Sequence, residues 1–208
     1  HKHFSYFTNG IDIEYLDKLS LKKKLNENYS GIEKKINVLY AGNIGVGQSL
    51  EKILPELALK FEKKAEFTII GSGAKKNILS HLISKNEIKN IKLLDPIERN
   101  ELFKLYSQAD ILFLHLDNKM AFERVLPSKI FEYASTGLPI VAGVGGYAKK
   151  FLLEEVENVS VFQPSNVQSA ISSLNAIDLK IVDRQDFILR YSRKKISHDL
   201  FKDILSIN

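Results

Sequence analysis

Apolar positions recur along this chain in two rhythms. Short runs rich in Ile, Val, Leu and Phe at 36–41, 66–71, 91–94, 111–115, 139–144 and 159–162 read as strands. Between them, apolar residues return every three or four positions, the spacing of a helix with one buried face. The segment 49–63 carries Leu50, Ile53, Leu54, Leu57 and Phe61 in that rhythm. Helices are likewise predicted at 75–85, at 98–108 with Leu102, Leu105 and Tyr106 inward, at 128–136, at 148–155 and at 166–174. Regular alternation of strand and helix predicts an α/β fold: a parallel sheet covered on both faces.

The flanks break the rhythm. Residues 4–12 read as the end of a strand and a turn, and the Lys- and Asn-rich stretch 17–35 as a linker. The last stretch, 180–207, reads as a terminal helix broken early. The expected division is therefore 1–34 as a flank plus linker, 35–178 as the α/β core, and 179–208 as a helical extension.

Composition narrows the chemistry. The 208 residues include no cysteine, which excludes disulfides and thiolate metal sites. The five histidines have no metal-ligand spacing. No apolar run reaches the roughly 18–20 residues needed to span a bilayer. The net charge is +5, but the lysines are scattered over helix faces without interleaved aromatics, so no nucleic-acid partner is expected.

The strand-to-helix loops hold the candidate chemistry. Around Gly42, Asn43, Gly45, Gly47 and Gln48, small residues let backbone N–H groups approach a phosphate. Counted from Gly42, the glycines fall at the first, fourth and sixth positions, which is not the spacing of dinucleotide binders. Gly71 and Gly73 follow the second strand, Asp95 and Ile97 the third, and Gly145, Gly146 and Tyr147 the fifth. Ser128 is the expected N-cap of a helix stopped by Gly137, with Ile130, Phe131 and Ala134 on its apolar face. Such a helix at the carboxyl end of a parallel strand offers N–H groups to a diphosphate, with Glu132 about one turn inward, in reach of ribose hydroxyls.

The stretch Pro127, Ser128, Lys129, Glu132, Tyr133, Gly137, Pro139 resembles the C-terminal, donor-binding half of family 4 glycosyltransferases of the GT-B fold, of the type that builds bacterial surface polysaccharides. The resemblance implies a Rossmann-like, doubly wound sheet in the order 3-2-1-4-5-6 with a C-terminal helical tail. It implies a UDP-sugar donor, retaining transfer to a glycan or polyprenyl-linked acceptor held by an upstream domain, and no cofactor or metal. It also implies a cytoplasmic setting, with peripheral association at the inner face of the membrane. Gly42, Asn43, Gly45, Gln48, Ser128 and Lys129 fall at donor and phosphate positions, and Glu132 at the ribose position. Gly71, Gly73, Asp95 and Ile97 fall at the base, with Glu123, Arg124, Gly145, Gly146 and Tyr147 near the sugar. The resemblance makes residues 1–34 the end of an upstream domain plus interdomain linker and 35–178 the nucleotide-sugar-binding domain, and it places the catalytic acceptor-side residues in the upstream half.

Two departures stand out. The family's phosphate-clamping Arg and Lys are replaced by neutral Asn43 and Gln48, which leaves Lys129 as the natural substitute. The first of the family's paired Glu residues is replaced by Arg124, with Glu123 one residue out of register. Arg124 then either meets a phosphate or sugar carboxylate or is solvated, and Tyr147 either stacks on a ring or caps the core. Two rival functions share these features: a sugar-nucleotide epimerase of the same fold, and a non-catalytic nucleotide-binding subunit.

Overall fold

The computed structural model describes residues 5, 7–13 and 35–206. Six strands form one sheet: β1 (Ile36–Ala41), β2 (Ala65–Ile70), β3 (Ile91–Leu94), β4 (Ile111–His115), β5 (Ile140–Gly143) and β6 (Val159–Phe162). Their order is β3-β2-β1-β4-β5-β6, as expected. Every pairing is parallel, with Ile36 opposite Ala65, Val38 opposite Ile111 and Leu112 opposite Ile140. The order reverses direction between β1 and β4, and crevices in open α/β sheets form at such a switch.

Side chains alternate across the sheet and divide the core in two. Val38, Tyr40, Phe67, Ile69, Ile111 and Phe113 pack against α1 (Leu54–Lys60), α2 (Lys76–Lys85) and α6 (Val167–Ala176). Leu39, Ala41, Leu112, Leu114 and Ile140 pack against α3 (Arg99–Gln108), α4 (Lys129–Ser135), α5 (Gly146–Glu155) and α7 (Gln185–Arg190). Burial on both faces is why β4 is apolar throughout.

Several elements differ from the sequence reading. The helix expected over 49–63 is split: a 3-10 turn covers Leu50–Lys52, and α1 begins only at Leu54. Ser49 sits in the left-handed region at φ 42°, and Pro55, in the first turn of α1, lacks an N–H to continue an earlier helix. The apolar spacing still predicts burial, since Leu50, Ile53, Leu54 and Leu57 are all fully enclosed. In α3 the deeply buried pair is Phe103 and Tyr106, with Leu102 and Leu105 half-buried beside them. Helix α5 starts at Gly146, two residues before the expected Ala148.

In the described part of 4–12 there is no strand, only a parallel bridge between Ile11 and Ser192. The linker expected over 17–35 lies, except for Lys35, outside the described residues. The terminal helix is broken as expected, into α7 and α8 (Arg193–Ser206). No α8 residue is buried, and Leu200, Phe201, Ile204 and Leu205 leave an apolar face exposed. Among the described residues, no helix is long and apolar enough to cross a membrane.

Candidate functional site

A crevice of about 370 Å³ opens at the carboxyl edge of the sheet, lined by Ala41, Gly42, Asn43, Ile70, Gly71, Ser72, Pro96, Ile97, Leu102 and Lys129. It spans the ends of β1 and β2, the β3–α3 loop and the start of α4. Five residues singled out from the sequence meet there: Gly42, Asn43, Gly71, Ile97 and Lys129. Its walls are apolar and main-chain groups, and Lys129 is the cation on its lining.

The glycine loop is held by its own hydrogen bonds. The Tyr40 hydroxyl donates to the Asn43 carbonyl at 2.6 Å, and burial pushes that phenol up, so it keeps its proton. Ile44 N–H donates to the Ser72 carbonyl and Lys75 N–H to the Ile44 carbonyl, lacing the β1 and β2 loops together. Gly73 is required by this approach: at φ +147° a Cβ there would lie 2.5 Å from Asn43 Oδ1 and from the Ile44 carbonyl. Asn43 Nδ2 donates to Gln48 Oε1 at 3.1 Å. Asn43 and Gln48, the two neutral residues at the expected clamp positions, therefore hold each other. Gly45 belongs to the same turn, its carbonyl accepting from the N–H groups of Gln48 and Ser49.

His115, at the end of β4, locks this loop from below. Its Nδ1 lies 2.6 Å from the Gln48 carbonyl, and its Nε2 accepts from Ser165 N–H at 2.9 Å. That pair of partners fixes a neutral ring with the proton on Nδ1. Burial holds its pKa below the ordinary value, against the Gln48 carbonyl and Asp117, which both raise it.

The loops after β2 and β3 share an anchor that the sequence reading missed. Lys76 Nζ donates to the Gly71 and Leu94 carbonyls, both at 3.0 Å, and to Asp95 Oδ1 at 2.6 Å. Asp95 thus points to Lys76 rather than to the crevice wall. A cation in the first turn of α2 opposes the helix dipole, a misfit visible in sequence that marks such an anchor.

Lys129 and Glu132 are joined. Lys129 Nζ lies 2.9 Å from Glu132 Oε2, and the Tyr106 hydroxyl donates to Oε1. The next residue, Tyr133, ties α4 to the sheet: its buried hydroxyl accepts from Ala41 N–H at 2.9 Å, just before Gly42. Ser128 sits at the N-cap position, but its side chain makes no capping bond, which corrects the sequence reading. Its ψ of −27° is helical and leaves it inside the first turn instead of in the extended conformation that aims a capping hydroxyl at the N–H groups.

The expected sugar-proximal residues form a second group. Tyr147 N–H donates to the Glu123 carbonyl at 2.7 Å. The Glu123 carboxylate lies over the Gly145–Gly146 turn, where a Cβ on Gly146 would come within 2.5 Å of Oε2. Tyr147 packs on Phe151 with 40% of its surface exposed. Arg124 is exposed and has no ion-pair partner among the described residues.

Beside these lies Asp117, which the sequence reading passed over. It is 4% exposed. Its N–H donates to the Gly47 carbonyl, and its carboxylate takes Lys52 at 2.7 Å and Lys119 at 3.4 Å. Burial pushes this carboxyl up, and the Lys52 and Lys119 contacts outweigh that and hold it at about 2. Among the described residues, no cluster of three His, Asp or Glu side chains is arranged to hold a metal.

This sheet order, with its crevice at the carboxyl edge, is that of the Rossmann-like domains of the GT-B class. The chain belongs to the group 1 glycosyl transferases, whose family model matches residues 35–177. The Escherichia coli (strain K12) protein WcaI, a glycosyl transferase assigned to colanic acid biosynthesis, is 24% identical over 143 residues. That match covers 68% of this chain and 35% of WcaI. Two solved structures share the fold. Anabaena HepE, in complex with UDP and glucose, has a TM-score of 0.72 at 17% identity, covering 97% of this chain and 56% of that one. A glycosyltransferase from Rickettsia africae has a TM-score of 0.69 at 16% identity, covering 96% and 56%. The chain thus spans about a third of the curated relative and about half of these structures.

Proposed function

We propose that the chain binds the nucleotide-sugar donor, a UDP-sugar, of a retaining glycosyltransferase that builds a cell-surface glycan. The observation that carries this reading is the crevice itself, where Gly42, Asn43, Gly71 and Ile97 surround an apolar slot and Lys129 supplies a positive charge. In this reading the base lies between the β2 and β3 loops, with main-chain groups at Ile97 meeting its edge. Lys76 keeps that loop in place through the Gly71 and Leu94 carbonyls. Glu132 accepts from the ribose hydroxyls. The diphosphate lies over the glycine loop, facing its N–H groups and Lys129. Glu123, Gly145, Gly146 and Tyr147 lie toward the sugar, with Arg124 beside them.

The reaction is transfer on one face of the sugar, with charge developing on the leaving diphosphate. The chain's contribution is to position the donor and offset that charge. Helix α4 is only seven residues long, so its dipole is a minor source of positive potential and Lys129 is the main one. The acceptor, a glycan or polyprenyl-linked sugar, is held by another part of the protein, on the cytoplasmic side of the membrane. On this reading the chain binds donor and does not by itself transfer the sugar.

Calorimetry with UDP, GDP, ADP and uridine tests the reading. UDP is expected to bind best, and no binding of UDP would overturn it. Lys129→Met is expected to weaken UDP about tenfold and uridine by much less, since one charge contact to a diphosphate contributes about 1–2 kcal/mol. Because half-exposed charges are screened, the gap is expected to narrow in high salt. Equal losses for UDP and uridine would remove Lys129 from the phosphate. Glu132→Gln is expected to weaken UDP several-fold while the unfolding midpoint in urea stays within the range of ordinary surface substitutions. Unchanged affinity would assign Glu132 to structure.

A further inference from the structure

Tyr106 is fully buried on α3, with no surface toward the crevice. Its ring stands edge-on to Tyr133 of α4 at 6.0 Å and against Phe103 at 6.1 Å. A buried phenol requires a partner. Here the hydroxyl donates to Glu132 Oε1 at 2.5 Å, across 26 residues of sequence. Burial first, then Tyr133 and Glu132, push its pKa well above the ordinary value, so the hydroxyl remains a donor. The other oxygen of Glu132 holds Lys129, a residue of the crevice wall.

The two ends of this chain of contacts differ in kind. Tyr106 is immobile: ring packing fixes it, and no water competes for its proton. The Lys129–Glu132 pair is an i,i+3 contact with 26% and 33% of the side-chain surfaces exposed, the sort of ion pair that is readily exchanged. A diphosphate in the crevice offers Lys129 more negative charge than one carboxylate does. Once the ammonium leaves, Oε2 is uncovered, while Oε1 remains held from the core. Tyr133, bonded to Ala41 N–H, keeps the backbone of α4 level with the start of the glycine loop, so the carboxylate is referenced to the sheet as well.

We propose that Tyr106 is the positioning residue for Glu132, holding one carboxylate oxygen from the core so that the other, covered by Lys129 in the free protein, is presented to the donor ribose when the diphosphate draws Lys129 away. The inference rests on the donor-binding reading above, and it assigns a role to a residue outside the crevice. It predicts that losing the hydroxyl costs the ribose contact specifically. Without that bond Glu132 is free to turn with its own side-chain torsions, and the geometry of the ribose hydrogen bonds is lost.

The test is calorimetry of the chain with UDP and with 2′,3′-dideoxyuridine diphosphate, which lacks both ribose hydroxyls. In the unsubstituted protein UDP is expected to bind about tenfold tighter than the dideoxy form, the size of a hydrogen bond to a charged group. Tyr106→Phe keeps the ring and is expected to weaken UDP about fivefold, leave the dideoxy form unchanged, and so collapse the ratio. Glu132→Gln is expected to collapse it too, while Lys129→Met weakens both ligands and preserves it. A wild-type ratio in Tyr106→Phe, with the ratio collapsed in Glu132→Gln, would overturn the inference and leave Tyr106 as packing, even if its melting temperature falls. A wild-type ratio in Glu132→Gln, or no binding of UDP, would overturn the donor-ribose reading and the inference with it.

Discussion

Replacing Arg184 with Met is expected to destabilise the chain by about 3–4 kcal/mol, because two buried and two part-buried carbonyls lose a charged donor at once. Arg184 is 5% exposed. Its Nε and Nη2 reach the Glu157 carbonyl, Nη1 reaches the Ala134 and Leu138 carbonyls at 3.2 and 3.1 Å, and Nη2 also reaches Asn158 at 3.4 Å. One guanidinium thus closes the end of α4, the approach to β5 and the turn before β6. Burial lowers its pKa to about 10, so it stays charged at neutral pH. Lysine has the charge but not the fork, and Arg184→Lys is expected to recover less than half of the loss. Urea unfolding measures both variants. A loss in Arg184→Met under about 1 kcal/mol would mean that water replaces the guanidinium at these carbonyls.

The second large effect is expected at His115. The ring bridges the Gln48 carbonyl and Ser165 N–H, so His115→Ala leaves two part-buried main-chain groups without this partner and opens a gap beside the stacked rings of Phe113 and Phe162. These rings are centred 6.5 and 5.9 Å from the imidazole. The expected loss is about 2–4 kcal/mol at neutral pH. The loss also carries a pH signature. Because the folded protein holds His115 below its ordinary 6.5, the unfolded chain takes up the proton first. The His115 contribution is therefore complete above about pH 6.5, falls as pH drops through that value toward the lower folded pKa, and levels off below it. The gap between wild type and His115→Ala is expected to narrow from pH 7 to pH 5. Asp117 acts in a separate window: its carboxyl is held at about 2, so its contribution is lost only between its ordinary 3.8 and that value. A gap that stays constant down to pH 5 would show that His115 is not held neutral.

These effects trace how far the sequence reaches. The two rhythms of apolar residues are local properties of the backbone, and they determined the six strands, most of the helices and the parallel sheet. A strand buried on both faces has to be apolar throughout, as β4 is, and a helix covering it has to be apolar on one side. The glycine loop and the stop at Gly137, whose φ is +74°, were legible because few other residues accept those conformations. Pro55 was legible too, but the apolar spacing of 49–63 ran through it and concealed the break.

The site was legible by class and not by partner. Gly42, Asn43, Gly71, Ile97 and Lys129 could be selected because they lie where strands end and helices begin. Whether Asn43 faces a phosphate or Gln48, whether Asp95 faces the crevice or Lys76, and which groups hold Glu132 depend on neighbours 3 to 26 residues away. Those distances come from how the loops and helices settle on the sheet. No periodicity encodes them, because one rotamer of a long polar side chain decides the partner. Tyr106 reads in sequence as one more apolar position on α3, and Arg184 as a charge in a polar tail. Only the folded chain brings the first to Glu132 and the second to carbonyls from three separate segments, because a buried donor must find an acceptor wherever the packing leaves one.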